Sequence, residues 1–186
     1  MRDSLVKELG DGFKPKNLTT MTFSYCKFLK KIPDLSSISN LKELSVQNCT
    51  RLVEVHDSVG SLENLSMLEF YGCSKLQILP RSLKLRSLRG VNLSCCSSLR
   101  YLPEIECKME SLIALDLRRT AIEEVLPLSI GNLVGLLYLQ LLGCKNLMRF
   151  PIACILLQHL RELEIGGCSN VVKKMRDDAR AILSSY

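Results

Sequence analysis

Nine cysteines and two histidines stand out among the residues of this 186-residue chain whose side chains could bind a metal or attack a substrate. Thiolates bind zinc, form disulfides and act as nucleophiles. A zinc site would need Cys-x-x-Cys pairs or nearby histidines, whereas His56 and His159 lie far apart in the sequence. The role of the cysteines therefore has to be read from their positions along the chain.

No other motif in the sequence assembles an active site. The chain has no G-x-x-x-x-G-K-[ST] loop for phosphate, no G-x-G-x-x-G fingerprint, no H-E-x-x-H and no G-x-S-x-G. The acidic pairs at 123–124 and 177–178 have no nucleophile or base beside them in the sequence pattern. We predict that the chain is not an enzyme and has no catalytic residue, no cofactor site and no metal site.

A repeated unit accounts for most of the cysteines and for the 36 leucines. The unit reads L-x-x-L-x-L-x-x-C-x-x-L-x-x-L-P, and its successive starts are 23 or 24 residues apart. This period is typical of a leucine-rich repeat. The seven units begin at Leu18, Leu41, Leu65, Leu88, Leu112, Leu136 and Leu160. The cysteine position, which Thr120 occupies in unit five, holds Cys26, Cys49, Cys73, Cys96, Cys144 and Cys168, here called the ladder cysteines.

The spacing of the unit predicts its local structure. The L-x-L alternation has a period of two, which indicates a short strand with one face inward. Successive strands of a solenoid stack in parallel at about 4.8 Å. We therefore predict an α/β fold, a leucine-rich-repeat solenoid forming a segment of a horseshoe. About seven parallel strands line its concave face, and short turns or helical segments line its convex face.

The domain organisation follows from the limits of the repeat. We predict an N-terminal flank or partial repeat at 1–17, a leucine-rich-repeat domain at 18–171 and a C-terminal capping helix at 172–186, for which a partner-binding helix is the alternative. Because the N-terminal flank lacks a clear cap, we expect the chain to begin inside a longer array. Unit one would then expose an open sheet edge, with Leu18, Met21, Phe23 and Leu29 on it.

The ladder cysteines are predicted to be structural. Their position requires a small buried side chain just after the strand, and a thiol is small, apolar and a weak donor to a nearby carbonyl. The sequence starts without a signal peptide, which favours reduced thiols over disulfides. Cys95 lies outside the ladder on the outward side of its strand, so it is the candidate for a reactive thiol.

The outward side chains of the predicted strands form the candidate protein-binding face. Tyrosine and arginine are favoured as interface anchors, and folding alone gives no obvious reason for the adjacent Arg118 and Arg119. We expect these two arginines to bind an acidic patch on a partner. The whole candidate face comprises Tyr25, Glu43, Gln47, Asn48, Glu69, Tyr71, Asn92, Asp116, Arg118, Arg119, Tyr138, Gln140, Glu162 and Glu164.

The charge and hydropathy of the chain favour a protein partner over other macromolecules. The net charge is +6, but the basic residues are scattered, which favours a solvated surface over a nucleic-acid or anionic-lipid site. No apolar run approaches the roughly 18 residues needed to cross a bilayer. We predict no nucleic acid, membrane or metal as a partner, and a location in the cytoplasm or the nucleus.

Five phrases of the sequence carry a family resemblance beyond the repeat itself. They lie at 29–36, 52–60, 102–112, 120–124 and 127–133. In this order they resemble the leucine-rich repeats of plant intracellular nucleotide-binding immune receptors that carry an N-terminal TIR domain. The resemblance covers roughly residues 13–171.

The resemblance implies a role in plant defence. In such receptors the repeats recognise a pathogen effector, or a host protein that the effector alters, and regulate the attached nucleotide-binding domain. These 186 residues contain neither a TIR nor a nucleotide-binding domain, so we expect either a fragment of a receptor or a truncated relative. The alternatives are a stand-alone scaffold, a decoy, or a substrate-selecting adaptor such as that of a ubiquitin ligase. An extracellular receptor is disfavoured because its G-x-I-P units are absent.

Overall fold

A computed structural model describes residues 1–10, 13–149 and 152–168. In these ranges the dominant element is one parallel sheet of seven strands, which neighbour each other in chain order. Strands are numbered along the whole chain, so the sheet takes every second number. Its strands are β1 (Thr20–Ser24), β3 (Glu43–Gln47), β5 (Met67–Glu69), β7 (Gly90–Asn92), β9 (Ala114–Asp116), β11 (Tyr138–Gln140) and β13 (Glu162–Glu164).

The other half of each turn is built from much shorter elements. Six short strands form three parallel pairs: β2 (Lys31–Ile32) with β4 (Glu54–Val55), β6 (Ser82–Leu83) with β8 (Glu104–Ile105), and β10 (Glu124–Val125) with β12 (Leu147–Arg149). The helices that the structure describes are all 3₁₀, at Asp57–Ser61, Leu128–Asn132 and Ile152–Leu156. The predicted fold class is confirmed, and the helical segments within the described ranges are no longer than five residues.

The core forms because equivalent leucines stack in register from unit to unit. Met21 pairs with Leu44, Leu44 with Leu68, and Leu68 with Val91, and all four side chains are buried. The L-x-L spacing thus places two apolar residues per strand in a continuous interior. Each unit buries its apolar face only against its neighbours, as expected of a solenoid.

In every unit the strand segment ends at a residue with left-handed backbone conformation. The repeat pattern of the sequence did not predict this conformation. This residue directly precedes the ladder position and has φ between 52° and 78°. In the first six units it still donates its N–H to the next unit, as Cys95 does to the carbonyl of Arg118 at 2.8 Å. The chain therefore bends away from the sheet without losing the inter-unit hydrogen bond. The seven residues are Tyr25, Asn48, Gly72, Cys95, Arg119, Gly143 and Gly167.

This geometry gives a first testable prediction at Gly143, whose φ is 78°. A Cβ there would lie 3.4 Å from Cγ of Arg119, an ordinary contact, so the penalty for alanine is conformational. We expect Gly143→Ala to lower the free energy of unfolding by about 1–2 kcal/mol. The matched control is Gly10→Ala, where nothing lies within 4 Å. Urea denaturation of both variants measures the difference, and equal stabilities would contradict the assignment.

The N-terminal residues cover the edge of unit one, so the expectation of an exposed edge is wrong. Asp3 donates its N–H to the carbonyl of Ser24, and Lys30 donates to that of Lys7. Met21, Phe23 and Leu29 are buried, and Leu18 is partly buried against the core. Backbone pairing provides this cover, which is why apolar spacing in 1–17 gave no signal of it. The predicted capping helix at 172–186 lies outside the described residues.

Candidate functional site

The outward face of the seven-stranded sheet presents its side chains in two rows set by the strand register. One row contains Glu43, Met67, Gly90, Ala114, Tyr138 and Glu162, and the second contains Ser45, Glu69, Asn92, Asp116, Gln140 and Glu164. Eight of the predicted binding residues therefore lie in these rows. We call the two rows, together with the outward residues two positions before each ladder position, such as Gln47, Tyr71 and Arg118, the concave face.

The remaining predicted residues lie where the strands end. Gln47 is the last residue of β3, and Tyr71 and Arg118 lie just past β5 and β9. Tyr25, Asn48 and Arg119 occupy the left-handed position, which puts them on the rim of the face rather than in its middle. Met67 and Leu142 are exposed on the same face and were not predicted, although their positions in the unit match those of Tyr138 and Tyr71.

A hydrogen-bonded network centred on Glu69 fixes the first half of the concave face. The Glu69 carboxylate accepts hydrogen bonds from Ser45 Oγ at 2.7 Å and Gln47 Nε2 at 2.8 Å. Asn92 donates to its second oxygen at 3.4 Å. These bonds join the strands β3, β5 and β7, so the polar side chains there are held in place before any partner arrives.

An ion pair between Asp116 and Arg118 fixes the second half. Arg118 donates from Nε to Oδ1 of Asp116 at 3.0 Å and from Nη2 to Oδ2 at 2.7 Å, and its backbone N–H also donates to Oδ1. The hydrogen bond with Asp116 raises the pKa of the guanidinium. Asp116 is only 9% exposed. The expectation that folding gives no reason for Arg118 is therefore wrong, because Arg118 compensates a nearly buried carboxylate.

The charge of the concave face is opposite to that of the chain. The face holds five carboxylates and one guanidinium, those of Glu43, Glu69, Asp116, Glu162, Glu164 and Arg118, and Arg119 adds a second guanidinium at the rim. The chain as a whole has a net charge of +6. A protein surface complementary to this face is cationic, which reverses the acidic patch that the two arginines alone suggested.

The ladder cysteines lie behind the sheet as buried thiols. All nine cysteines are free, and the six of the ladder are fully buried. Most thiols lie close to a strand-end carbonyl of the preceding unit: Cys96 Sγ is 2.8 Å from the oxygen of Phe70, and Cys144 Sγ is 3.0 Å from that of Leu117. Thr120 replaces the thiol in unit five and donates to the carbonyl of Leu117 in its own unit. The predicted burial of the ladder is confirmed.

Burial of these thiols gives a pH-dependent prediction. It raises the pKa of Cys49 to about 11 and that of Cys96 to about 12, whereas an unfolded thiol ionises near pH 8.5. Above that pH the unfolded chain loses protons that the native chain retains, so native stability is full below about pH 8.5 and falls above it. We expect a loss of about 1 kcal/mol per pH unit for each such thiol.

Urea denaturation between pH 7.5 and 10.5 measures this loss. Cys49→Ser and Cys96→Ser serve as controls, since each should reduce the slope by the contribution of one thiol. In native protein, a thiol reagent at pH 8 should react first with the partly exposed Cys95, Cys107 and Cys154. Rapid modification of the ladder, or stability that does not change with pH, would contradict the structural role.

Among the residues that the structure describes, no group of three or more His, Cys, Asp or Glu side chains is arranged to hold a metal ion. In the same part of the chain, no helix has the length and hydrophobicity needed to cross a membrane.

Comparison with known proteins gives a consistent set of similarities. A family model described as the leucine-rich repeats of RPS4B-like disease resistance proteins matches residues 84–184. Protein SUPPRESSOR OF npr1-1, CONSTITUTIVE 1 of Arabidopsis thaliana is 39% identical over 143 residues, 77% of this chain and 10% of the relative. Disease resistance protein RPP5 of the same plant is 39% identical over 149 residues, 80% of this chain and 10% of the relative.

More distant similarities agree with these. TMV resistance protein N of Nicotiana glutinosa is 31% identical over 156 residues, 83% of this chain and 14% of the relative. The chain thus spans about a tenth of the length of the first two relatives. Among solved structures, the leucine-rich repeat domain of the type III effector XCV3220 (XopL) superposes with a TM-score of 0.62 at 22% identity, covering 92% of this chain and 68% of that one. That similarity supports the fold alone.

Proposed function

The chain belongs to the leucine-rich repeats of the RPS4B-like disease resistance proteins, and from this premise we propose that it is the protein-recognition module of a plant immune receptor. It binds a pathogen effector or a host protein that an effector has modified, or it regulates an attached nucleotide-binding domain. It acts in the cytoplasm or the nucleus and catalyses no reaction. The fold does not specify the partner, because the partner is selected by the outward side chains.

The observation that carries this proposal is the pre-arranged concave face. Its polar side chains are tied to one another across strands by the Glu69 network and by the Asp116–Arg118 pair. Tyr71 and Tyr138 stand on the same face and are 41% and 37% exposed. Exposed tyrosines on a rigid support bind a partner with little loss of conformational entropy. The arrangement therefore favours binding of a protein surface.

The carboxylates of the concave face restrict the kind of partner surface that can bind there. Glu43 and Glu162 are exposed in the first row, and Glu69 and Glu164 are half-buried in the second. A partner that presents lysines or arginines between apolar side chains would meet both the carboxylates and the tyrosines. Arginine in particular also stacks on tyrosine rings. We therefore propose that the docking surface of the partner is cationic.

Quantitative affinity purification from pathogen-challenged leaves tests this function. The bait is the tagged chain, the test variant is Tyr71→Ala with Tyr138→Ala, and the control is Leu128→Ala, which removes an exposed side chain from a convex 3₁₀ helix. For proteins that both the bait and the control retain, we expect the recovered amount to fall at least tenfold with the test variant. Recovery of the same proteins by all three baits would contradict binding at the concave face. Components of a ubiquitin ligase among the retained proteins would favour the adaptor alternative.

A further inference from the structure

A second surface of the solenoid lies beside the concave face and carries the opposite charge. It is formed by the residues that follow the ladder position in each unit, at 27–32, 50–55, 74–79, 97–102, 121–126 and 145–149, here called the lateral flank. Along it the sequence places eight lysines and arginines against three glutamates. Glu123 and Arg100 already form an ion pair, at 3.4 Å between Oε1 and Nε, which leaves the sequence of the flank with seven other cations and two other glutamates.

A groove of about 580 Å³ opens on this flank across units three to six. Its lining includes Ile78, Ser98, Arg100, Tyr101, Ala121 and Asn146. The groove lies entirely outside the two rows of the concave face. It is therefore a separate concavity with its own chemistry.

The groove lies where unit five departs from the repeat. In units four and six, two residues separate the ladder position from the next core residue, as between Cys96 and Leu99. In unit five, Ala121 alone separates Thr120 from Ile122. The missing residue is restored before Pro127, where the pairing of β10 with β12 shifts register between Glu124 and Val125. A shorter turn and a methyl side chain thus leave space between units four and six.

The walls of the groove are held by hydrogen bonds and are partly apolar. Tyr101 donates its hydroxyl to Oε2 of Glu123 at 3.1 Å, the same carboxylate that holds Arg100. Across the groove, Asn146 donates from Nδ2 to the carbonyl of Ala121 at 3.4 Å. Ile78 is 50% exposed and Tyr101 is 67% exposed, so large apolar surfaces lie among the cations. A phosphate backbone would use the cations alone, whereas an amphipathic peptide would use both.

We propose that this groove binds an extended, acidic segment of a protein partner. An apolar side chain of the segment packs on Ile78 and Tyr101, and its carboxylates lie towards Lys75, which precedes the lining residue Gln77 by two positions. Because the concave face is acidic, the same segment is repelled there. The lateral flank is thus a second docking surface for a partner segment of opposite charge, and it does not depend on the function proposed for the concave face.

Fluorescence anisotropy with synthetic peptides tests the proposal on the full chain. The probe is a labelled dodecapeptide in which glutamate alternates with leucine, and the comparison peptide has lysine in place of every glutamate. We expect the acidic peptide to bind at least tenfold more tightly, with an affinity that falls as salt rises from 50 to 200 mM. Equal binding of the two peptides would overturn the proposal.

Variants locate the binding site. The affinity of the acidic peptide should fall at least tenfold with each of Ile78→Asp, Tyr101→Asp and Lys75→Glu. It should not fall with Lys16→Glu, an equal charge change at an exposed lysine away from the flank. Glu43→Gln with Glu162→Gln, which introduces no new cation on the concave face, should leave the peptide affinity within twofold, which separates this site from the concave face. Circular dichroism confirms that each variant is folded. Loss of affinity only in the concave variant would overturn the proposal.

Two other anionic ligands, an RNA and a lipid surface, test whether the flank binds phosphate instead of a peptide. Polyuridylate RNA and phosphatidylserine vesicles should bind more weakly than the acidic peptide and should be insensitive to Ile78→Ser, a neutral change that weakens the peptide by removing its apolar contact. If either binds more tightly than the peptide and loses affinity with Lys75→Glu, the flank is a phosphate-binding surface and the peptide proposal fails.

Discussion

Replacing Cys96 with arginine is expected to lower the free energy of unfolding by about 4 kcal/mol and to unfold at least the flanking units. The Cys96 thiol is fully buried and lies 2.8 Å from the carbonyl oxygen of Phe70. An arginine there has no carboxylate to pair with, and an unpaired buried charge costs about 3–5 kcal/mol. Because each unit is stabilised by its neighbours, the damage spreads along the solenoid.

The adjacent cysteine provides a matched control for this result. Cys95 is half-buried and occupies the left-handed position, where unit five already carries Arg119. Cys95→Arg should therefore change the stability by less than about 1 kcal/mol. Urea denaturation followed by circular dichroism compares the two variants. If both arginines destabilise equally, the ladder position has no special role in the core.

Arg118→Glu is expected to destabilise the chain by about 2 kcal/mol, whereas Arg119→Glu should change its stability by less than about 0.5 kcal/mol. The first change removes the guanidinium that compensates Asp116 and places a second carboxylate beside it. The effect stays below that of a fully buried pair, because the Arg118 side chain is 42% exposed and solvent screens it. The second change alters an exposed rim residue.

The two variants also separate folding from binding. Thermal melting of each variant and of the double variant shows which arginine contributes to stability, and the double variant should melt like Arg118→Glu alone. Equal melting temperatures for both single variants would contradict the assigned pair. A change of at least tenfold in partner affinity for Arg119→Glu would show that the rim takes part in recognition.

Much of this fold is predictable from the sequence because the core obeys a repeat. The period of 23 or 24 residues located all seven strands of the sheet, and the ladder position predicted six buried thiols. The left-handed position was missed because it tolerates Tyr25 and Arg119 as well as glycine, so residue type alone does not reveal it. Its place in the unit is nevertheless the same in every repeat.

Contacts that depend on backbone pairing or on side-chain direction were harder to predict. The cover over unit one uses backbone hydrogen bonds of Asp3 and Lys7, which leave no apolar pattern in the sequence. Asp116 ends β9 and Arg118 lies two residues further on, so the period of two that the sequence shows made their pairing accessible from spacing. The shortened turn of unit five was also visible in the sequence, but the groove that it leaves depends on neighbouring units.

The charge of the concave face was also hard to predict from the sequence. Counted along the chain, basic residues are in excess. Sorted by strand register, carboxylates dominate the concave face while lysines and arginines dominate the lateral flank. The partner chemistry of a solenoid therefore follows from the position of each charge within the unit rather than from the net charge.

The central claim, that a cationic protein partner docks on the concave face, is tested most directly by site-specific photo-crosslinking in extracts of pathogen-challenged leaves. A benzophenone amino acid replaces Tyr71 on the concave face or, in the control, Leu128 on the convex side, where the side chain is 70% exposed. We predict discrete adducts from position 71 that disappear when Glu43→Lys and Glu162→Lys are added and persist with the control Glu63→Lys. Adducts that form equally from position 128, or that survive reversal of the concave charges, would contradict the account.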